Sequence, residues 1–226
     1  YYYDKLIGVK KRNEGLDEIA VALEGISGSG LSGQDIIEKP VQLIDEDGNY
    51  TLEEILQLDF PLLERLKEHS LKYYNQSIEI GEISANAAKA VHANEAIAKA
   101  GGYYYQIGRI EGKQYVEEGI KLAQAYHLPQ VIIDIICQHN MNYEKPKSPE
   151  AAIVMLTISI IAMKEYIIQL DKKEAGGGES ISPEKVSLEK IVNNVFQMRL
   201  AKGSLDQSGL SIKEYNILRD FFLHME

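Results

Sequence analysis

The chain has 226 residues, 45% of them hydrophobic, and a formal net charge of −10 at pH 7. That length supports one sizeable core, or one core beside a small module. The acidic balance excludes a general nucleic-acid surface, because such a surface needs clustered lysine and arginine to displace counterions. The single cysteine, Cys137, excludes an intramolecular disulfide and is typical of a reducing compartment.

The first part of the chain has little helical periodicity. It opens with three tyrosines followed by four cations between Lys5 and Arg12, a pattern typical of the cytoplasmic side of a membrane helix and equally of a solvated terminus. A glycine-rich stretch at residues 25–33 is interpreted as a linker, and residues 41–52 as a short β-hairpin around an Asp-Gly turn. We therefore assign residues 1–59 to a juxtamembrane or linker segment with a β-hairpin.

The pattern becomes helical from Thr51, because Thr51 and Glu54 have the spacing of a capping box. Several later helices begin at or beside a proline, where the missing amide hydrogen costs nothing. The longest apolar run ends at Lys164, short of the roughly 20 residues needed to span a bilayer, so we expect no transmembrane segment. The predicted helices cover residues 52–58, 61–68, 73–91, 94–107, 113–126, 129–138, 149–170, 183–201 and 212–224.

Residues 101–109 read GGYYYQIGR and resemble the G-A-Y-Y-H-D-I-G-K signature of HD-domain phosphohydrolases. The segment is most similar to the membrane-anchored members that carry a seven-helix transmembrane receptor region and hydrolyse cyclic di-AMP. The resemblance implies an all-α, HD-type helical bundle over residues 60–226. Further matches are Leu62-Leu63-Glu64-Arg65-Leu66 with L-L-K-R-L, Tyr74-Asn75-Gln76-Ser77-Ile78 with Y-H-H-S-I, and Gly203-Ser204-Leu205-Asp206.

In active relatives, the resemblance implies two transition metals such as Mn or Fe, held by histidines and aspartates on several helices. Here only His139 keeps the residue type of the family at those positions. The lysine of the signature becomes Arg109, which preserves the charge. The positions of the ligands fall on Gln76, Tyr105, Gln106, Tyr115, His139, Asn140 and Ile158.

The replacements are poor metal ligands. Amide side chains are neutral, a tyrosine hydroxyl has a pKa near 10, and Ile158 offers no lone pair. We therefore predict no catalytic residue and no bound metal, with Tyr105, Gln106 and Tyr115 hydrogen-bonded to one another and Ile158 joined to the core. A new metal site remains an alternative, formed by His139 with one or more glutamates from the set Glu79, Glu82, Glu117 and Glu118.

The sequence thus predicts a catalytically inactive HD-like domain with a regulatory, ligand-sensing or docking role. The resemblance places it at the cytoplasmic face of a bacterial membrane, fused to or beside a transmembrane region, with a homodimer as one expected assembly. Arg109 and Lys113 are the candidate phosphate contacts for a cyclic dinucleotide. Two alternatives stay open: a metal-dependent cyclic-dinucleotide phosphodiesterase with an altered ligand set, and a structural oligomerisation bundle.

Overall fold

The structure, a computed structural model, describes residues 48–112, 114–174 and 187–225. Several predicted features therefore lie outside the described residues: the N-terminal opening, the glycine-rich stretch, residues 41–47 of the hairpin, Lys113, and residues 183–186 at the start of one predicted helix. Within the described ranges the chain is helical and contains no strand, which confirms the prediction of an all-α fold.

The helices agree with the predicted ones to within a few residues. A 3₁₀ turn at Ile107–Ile110 separates the fourth helix from the fifth. In chain order, the helices are α1 Leu52–Ile55, α2 Pro61–His69, α3 Leu71–Ala90, α4 Glu95–Tyr104, α5 Tyr115–Ala125, α6 Gln130–Gln138, α7 Pro149–Glu174, α8 Leu188–Ala201 and α9 Ile212–Leu223.

The helix starts follow from local side-chain chemistry. Thr51 forms the predicted capping box with Glu54: its backbone N–H donates to the Glu54 carboxylate at 2.8 Å, and its hydroxyl accepts from the Glu54 N–H. Ser211 and Glu214 form the same box at the start of α9. Each box satisfies amide hydrogens that have no partner inside the helix, which typically stabilises the fold by about 1 kcal/mol.

Helix α4 ends at Tyr104, earlier than the predicted residue 107. The backbone turns at Tyr105 and Gln106 and then packs Gly108 against the backbone of Tyr115 and Gly119 on α5, where a Cβ atom would find no room. Tyr105 and Gln106 therefore lie on the turn that follows α4 and not within the helix.

Helices α3 and α4 cross at a pair of glycines. A Cβ atom added to Gly102 would lie 2.9 Å from the backbone carbon of Ile80 and closer still to the backbone of Gly81. The two backbones therefore touch at this point without intervening side chains. This close crossing fixes the distance between α3, which carries Gln76, and the turn that follows α4.

Helix α7 is the central element of the bundle. Six consecutive residues, 151–156, have no exposed surface, and fully burying each large aliphatic side chain among them contributes roughly 1.5–3 kcal/mol. Its polar residues are also satisfied by neighbouring helices: Thr157 accepts a hydrogen bond from Ser84 of α3 at 3.1 Å, and Ser159 accepts one from Arg199 of α8 at 2.6 Å.

The expectation that no stretch is long and apolar enough to span a bilayer was wrong. The 21 residues Pro149–Gln169 have the length and composition of a membrane span, because the apolar character of α7 continues past Lys164 and Glu165. However, 67% of the most apolar 18-residue stretch of this helix is buried inside the structure. Such burial is typical of the core helix of a helical bundle.

Residues just before α2 also enter the core. Tyr50 packs edge-on against Phe60 with ring centroids 5.1 Å apart, and its backbone N–H donates to the carbonyl of His127 at 2.9 Å. The hydroxyl of Tyr104 donates to the carbonyl of Ile55 at 2.6 Å. Part of the segment assigned to the linker thus packs on the bundle, and the boundary at residue 59 stays a prediction.

We predict that Gly102→Ala lowers the free energy of unfolding by about 3 kcal/mol or more, because the α3 and α4 backbones would have to separate. The measurement is urea denaturation of both proteins. Gly209→Ala is the control: Gly209 has a φ of +75° but nothing within 4 Å of an added Cβ, so it should cost only about 1–2 kcal/mol. Equal losses in the two variants would contradict the close crossing.

Candidate functional site

The seven positions that match the ligands of the family lie close together in the structure, linked by hydrogen bonds, ring contacts and apolar packing. Gln76 lies on α3, Tyr105 and Gln106 on the turn after α4, Tyr115 at the start of α5, and His139 at the end of α6. Asn140 follows His139 directly, and Ile158 lies on α7. The sequence therefore identified a real spatial cluster, although its residues lie far apart in the chain.

The first half of the cluster is an amide network centred on Gln76. The side-chain oxygen of Gln76 accepts hydrogen bonds from the Tyr105 hydroxyl at 3.4 Å and from the Gln106 amide at 3.3 Å. The same Gln106 amide also donates to the Tyr73 carbonyl at 3.0 Å and the Ser77 hydroxyl at 3.1 Å. Gln106, only 1% exposed, is thus held by three acceptors of α3.

The second half is centred on the hydroxyl of Tyr115. His139 donates from Nδ1 to the carbonyl of Ile136 at 2.7 Å, so its Nε2 carries the lone pair. The Tyr115 hydroxyl donates to that Nε2 at 3.4 Å and accepts from the Asn140 amide at 3.2 Å. The three replacements do not bond to one another as predicted: Tyr105 and Gln106 meet at Gln76, whereas Tyr115 bonds to His139 and Asn140.

Aromatic and apolar contacts join the two halves. The ring of Tyr105 meets that of His139 edge-on, with centroids 5.4 Å apart. Ile158 is partly buried and packs against the apolar group of Ile80, Tyr105 and Ile161. Ile158 therefore contacts the core, as its sequence context predicts, at the position where the family carries an aspartate.

Burial controls the charge states of the cluster. Burial, together with the nearby Arg109 cation and against the opposing effect of the backbone hydrogen bonds, lowers the pKa of His139 to about 4. Burial also raises the pKa of Tyr105 well above its ordinary value, with Arg109 opposing the shift. At neutral pH both groups are therefore uncharged, so none of the seven matched positions carries a charge.

Arg109 is the cation of the site. Its guanidinium lies over the ring of Tyr73, 5.0 Å from the centroid, and over the ring of Tyr115 at 4.5 Å. Its Nε is buried without a hydrogen-bond partner, and no carboxylate of the described residues forms an ion pair with it. Aromatic rings thus flank the planar group. The second candidate phosphate contact, Lys113, lies outside the described residues.

Two residues that no sequence motif singled out complete the network. Glu165 accepts a hydrogen bond from the Gln76 amide at 3.0 Å, and Tyr73 supplies both a carbonyl to Gln106 and a ring to Arg109. Glu165 could have been found, because it lies seven residues after Ile158, which places it two turns further on the same face of α7. Tyr73 similarly precedes Gln76 by about one turn.

The side chains at these positions do not fit the two-metal centre of the family. Five of the seven offer neutral amides or hydroxyls already engaged in hydrogen bonds, and Ile158 offers no donor. The lone pair of His139 accepts from Tyr115. Across residues 48–112, 114–174 and 187–225, no three histidine, cysteine or acidic side chains are grouped so that they could hold an ion.

Of the four glutamates considered for a replacement metal site with His139, three bind other side chains and one is exposed. Glu82 accepts from the Tyr103 hydroxyl at 2.7 Å and pairs with Lys99 at 2.8 Å. Glu117 accepts from Tyr143 at 2.6 Å, and Glu118 pairs with Lys121 at 2.8 Å. Glu79 lies in an exposed position on α3. The structure therefore does not join them to His139 in a shared site.

Comparison with known proteins places the chain beside HD-domain phosphodiesterases. No protein-family model matches it. It is 22% identical over 217 residues to the cyclic-di-AMP phosphodiesterase PgpH of Bacillus subtilis, an alignment that covers 73% of this chain and 29% of PgpH. It is 33% identical over 91 residues to ribonuclease Y of Lactobacillus acidophilus, covering 37% of this chain and 17% of the ribonuclease. The chain therefore spans less than a third of the length of these relatives.

The crystal structure of the PgpH HD domain of Listeria monocytogenes matches with a TM-score of 0.58 at 19% identity, over 73% of this chain and 96% of that domain. The same domain solved in complex with cyclic-di-AMP also gives a TM-score of 0.58. The described part of the chain thus has the all-α HD fold and resembles the PgpH HD domain, as the sequence predicted.

We predict that burial of neutral His139 makes the fold less stable in acid. Its pKa is about 4 in the folded state against an ordinary value of 6.5, so between these pH values the unfolded chain binds a proton that the folded chain does not. The free energy of unfolding should therefore be highest above pH 6.5 and fall on the order of 3 kcal/mol as the pH is lowered to 4.

The comparison that tests this effect is urea denaturation of the natural chain and of His139→Gln between pH 4 and 7. The variant keeps every carboxylate but lacks the imidazole, so its stability should fall less steeply over that range. If the free energy of unfolding falls equally with pH in the two proteins, His139 does not gain a proton between pH 6.5 and pH 4.

Proposed function

We propose that this HD domain, which resembles that of PgpH, does not hydrolyse phosphodiesters and instead has a regulatory, ligand-sensing or docking role in which it binds a cyclic dinucleotide. One observation carries the proposal: a neutral hydrogen-bonded network occupies the positions of the metal ligands, beside an arginine that has no anionic partner among the described residues.

The case against hydrolysis rests on the donor chemistry. Metal-assisted cleavage of a phosphodiester needs several unprotonated donors around a pair of cations that polarise the phosphate and generate hydroxide. Here the lone pair of His139 accepts a hydrogen from Tyr115, and the oxygen of Gln76 accepts from two donors. Displacing these bonds would leave buried polar groups without partners, at about 1–3 kcal/mol for each group.

The case for an anionic ligand rests on Arg109. Rings flank its planar guanidinium, which leaves the N–H groups at its edge to bind an anion, and a phosphate accepts two parallel hydrogen bonds from such an edge. The HD domain of the structural relative was solved with cyclic-di-AMP, which supports a cyclic dinucleotide as the ligand class. Lys113 is proposed as a second contact because it follows the same 3₁₀ turn.

The cellular context is proposed from the resemblance alone. We propose that the domain lies at the cytoplasmic face of a bacterial membrane as part of a larger membrane protein, and that two copies form a homodimer. In such an arrangement, a domain that binds a nucleotide without consuming it would report the concentration of the nucleotide to the rest of the protein.

We predict that the chain, purified from cells supplied with Mn and Fe, contains far less than one metal per chain and releases no linear product from cyclic di-AMP. Binding should nevertheless be measurable by isothermal titration calorimetry. Arg109→Ala should weaken that binding about tenfold or more, because a hydrogen-bonded charge pair with phosphate is lost.

Lys121→Ala is the matched control, since it also removes one positive charge, from an exposed side chain that is paired with Glu118; its affinity should be unchanged. Stoichiometric metal with hydrolysis that His139→Ala abolishes would support the alternative of a phosphodiesterase with an altered ligand set. Absence of any nucleotide binding, together with self-association, would instead support a structural oligomerisation bundle.

A further inference from the structure

We infer that His69 and Tyr73 form a stacking platform for a purine base beside Arg109, so that the site recognises a purine nucleotide by its base as well as by its phosphate. The inference rests on the proposed function, because it uses the same cation, but it adds the groups that would distinguish a nucleotide from a simple phosphate anion.

The geometry of the rings supports a platform. His69, at the end of α2, lies nearly parallel to Tyr73 of α3, with an interplanar angle of 13° and centroids 6.4 Å apart. His69 is exposed and Tyr73 is partly exposed, so solvent reaches both. The Arg109 guanidinium lies 5.0 Å from the centroid of the same Tyr73 ring. A cation and a pair of parallel rings are therefore adjacent at the surface.

Stacking is the chemistry that such rings provide. Every nucleobase has a π-face, and stacking on an aromatic side chain contributes roughly 1–3 kcal/mol per base. A purine presents the larger face and buries more apolar surface than a pyrimidine. The adjacent Arg109 would hold the phosphate of the same nucleotide, so base and phosphate are bound by groups that touch each other.

The platform is also linked to the interior of the site. The backbone carbonyl of Tyr73 accepts the hydrogen bond of Gln106, which continues through Gln76 to Glu165 on α7. A base held on Tyr73 would thus lie at the outer end of a continuous network that reaches the central helix. The ring of Tyr73 would contact the base, and the backbone carbonyl of Tyr73 links this surface through Gln106 to the bundle.

The test is isothermal titration calorimetry of the natural chain, Tyr73→Leu, Tyr73→Phe and His69→Ala with three ligands: cyclic di-AMP, AMP and pyrophosphate. Tyr73→Leu removes a ring that contacts both the base and Arg109, so it should weaken both adenine ligands about tenfold more than it weakens pyrophosphate. Tyr73→Phe keeps the ring and should bind as the natural chain does. His69→Ala, an exposed position that does not disturb the core, should weaken only the adenine ligands.

The outcomes separate this inference from the proposed function. If cyclic di-AMP binds the natural chain and Tyr73→Leu equally well, the platform is wrong and the proposed function stands. If AMP binds in a Tyr73-dependent way and cyclic di-AMP does not bind, the platform stands and the cyclic dinucleotide is wrong. Equal weakening of pyrophosphate and AMP would show that Tyr73 only positions Arg109, and failure of every adenine ligand to bind would overturn both proposals.

Discussion

The backbone contact between Gly81 and Gly102 is the constraint on which the arrangement of the site depends. Side chains normally hold two packed helices 8–10 Å apart, whereas here the backbones of α3 and α4 touch. Only at this short separation can Gln106, on the turn that leaves α4, reach three acceptors on α3. The hydrogen-bond network therefore depends on Gly81 and Gly102, two residues without side chains that are not themselves part of the network.

Much of the fold followed from the sequence because its local signals agree with one another. The capping box of Thr51 and Glu54 and the proline starts fixed the helix beginnings, and both are formed by residues close in sequence. The end of α4 was misplaced because it depends on Gly108 fitting against α5, which is a tertiary contact. The spanning potential of α7 was underestimated because the apolar run was counted only as far as Lys164, although the predicted helix itself continued to residue 170.

The sequence predicted which residues form the site, but not which of them form hydrogen bonds with one another. The order of motifs identified the seven positions, and the structure brings them together. Which of them bond could not be read from the sequence, because that depends on the tautomer of His139, set by the carbonyl of Ile136, and on the rotation of Gln76 towards Glu165. Arg109 was recognised as a cation, but its position between two tyrosine rings needs the spatial relation of α3 and α5.

The packing of Ile158 bears on how this domain could change over generations. An aspartate in place of this one residue would put a carboxylate among the apolar contacts with Ile80, Tyr105 and Ile161, and moving a charge from water into apolar surroundings destabilises a fold. Each of the other positions has a hydrogen-bonded partner that would be lost in the same way. Placing histidine and acidic side chains at all of these positions would therefore require several simultaneous substitutions, because each single change breaks a contact that the present side chain makes.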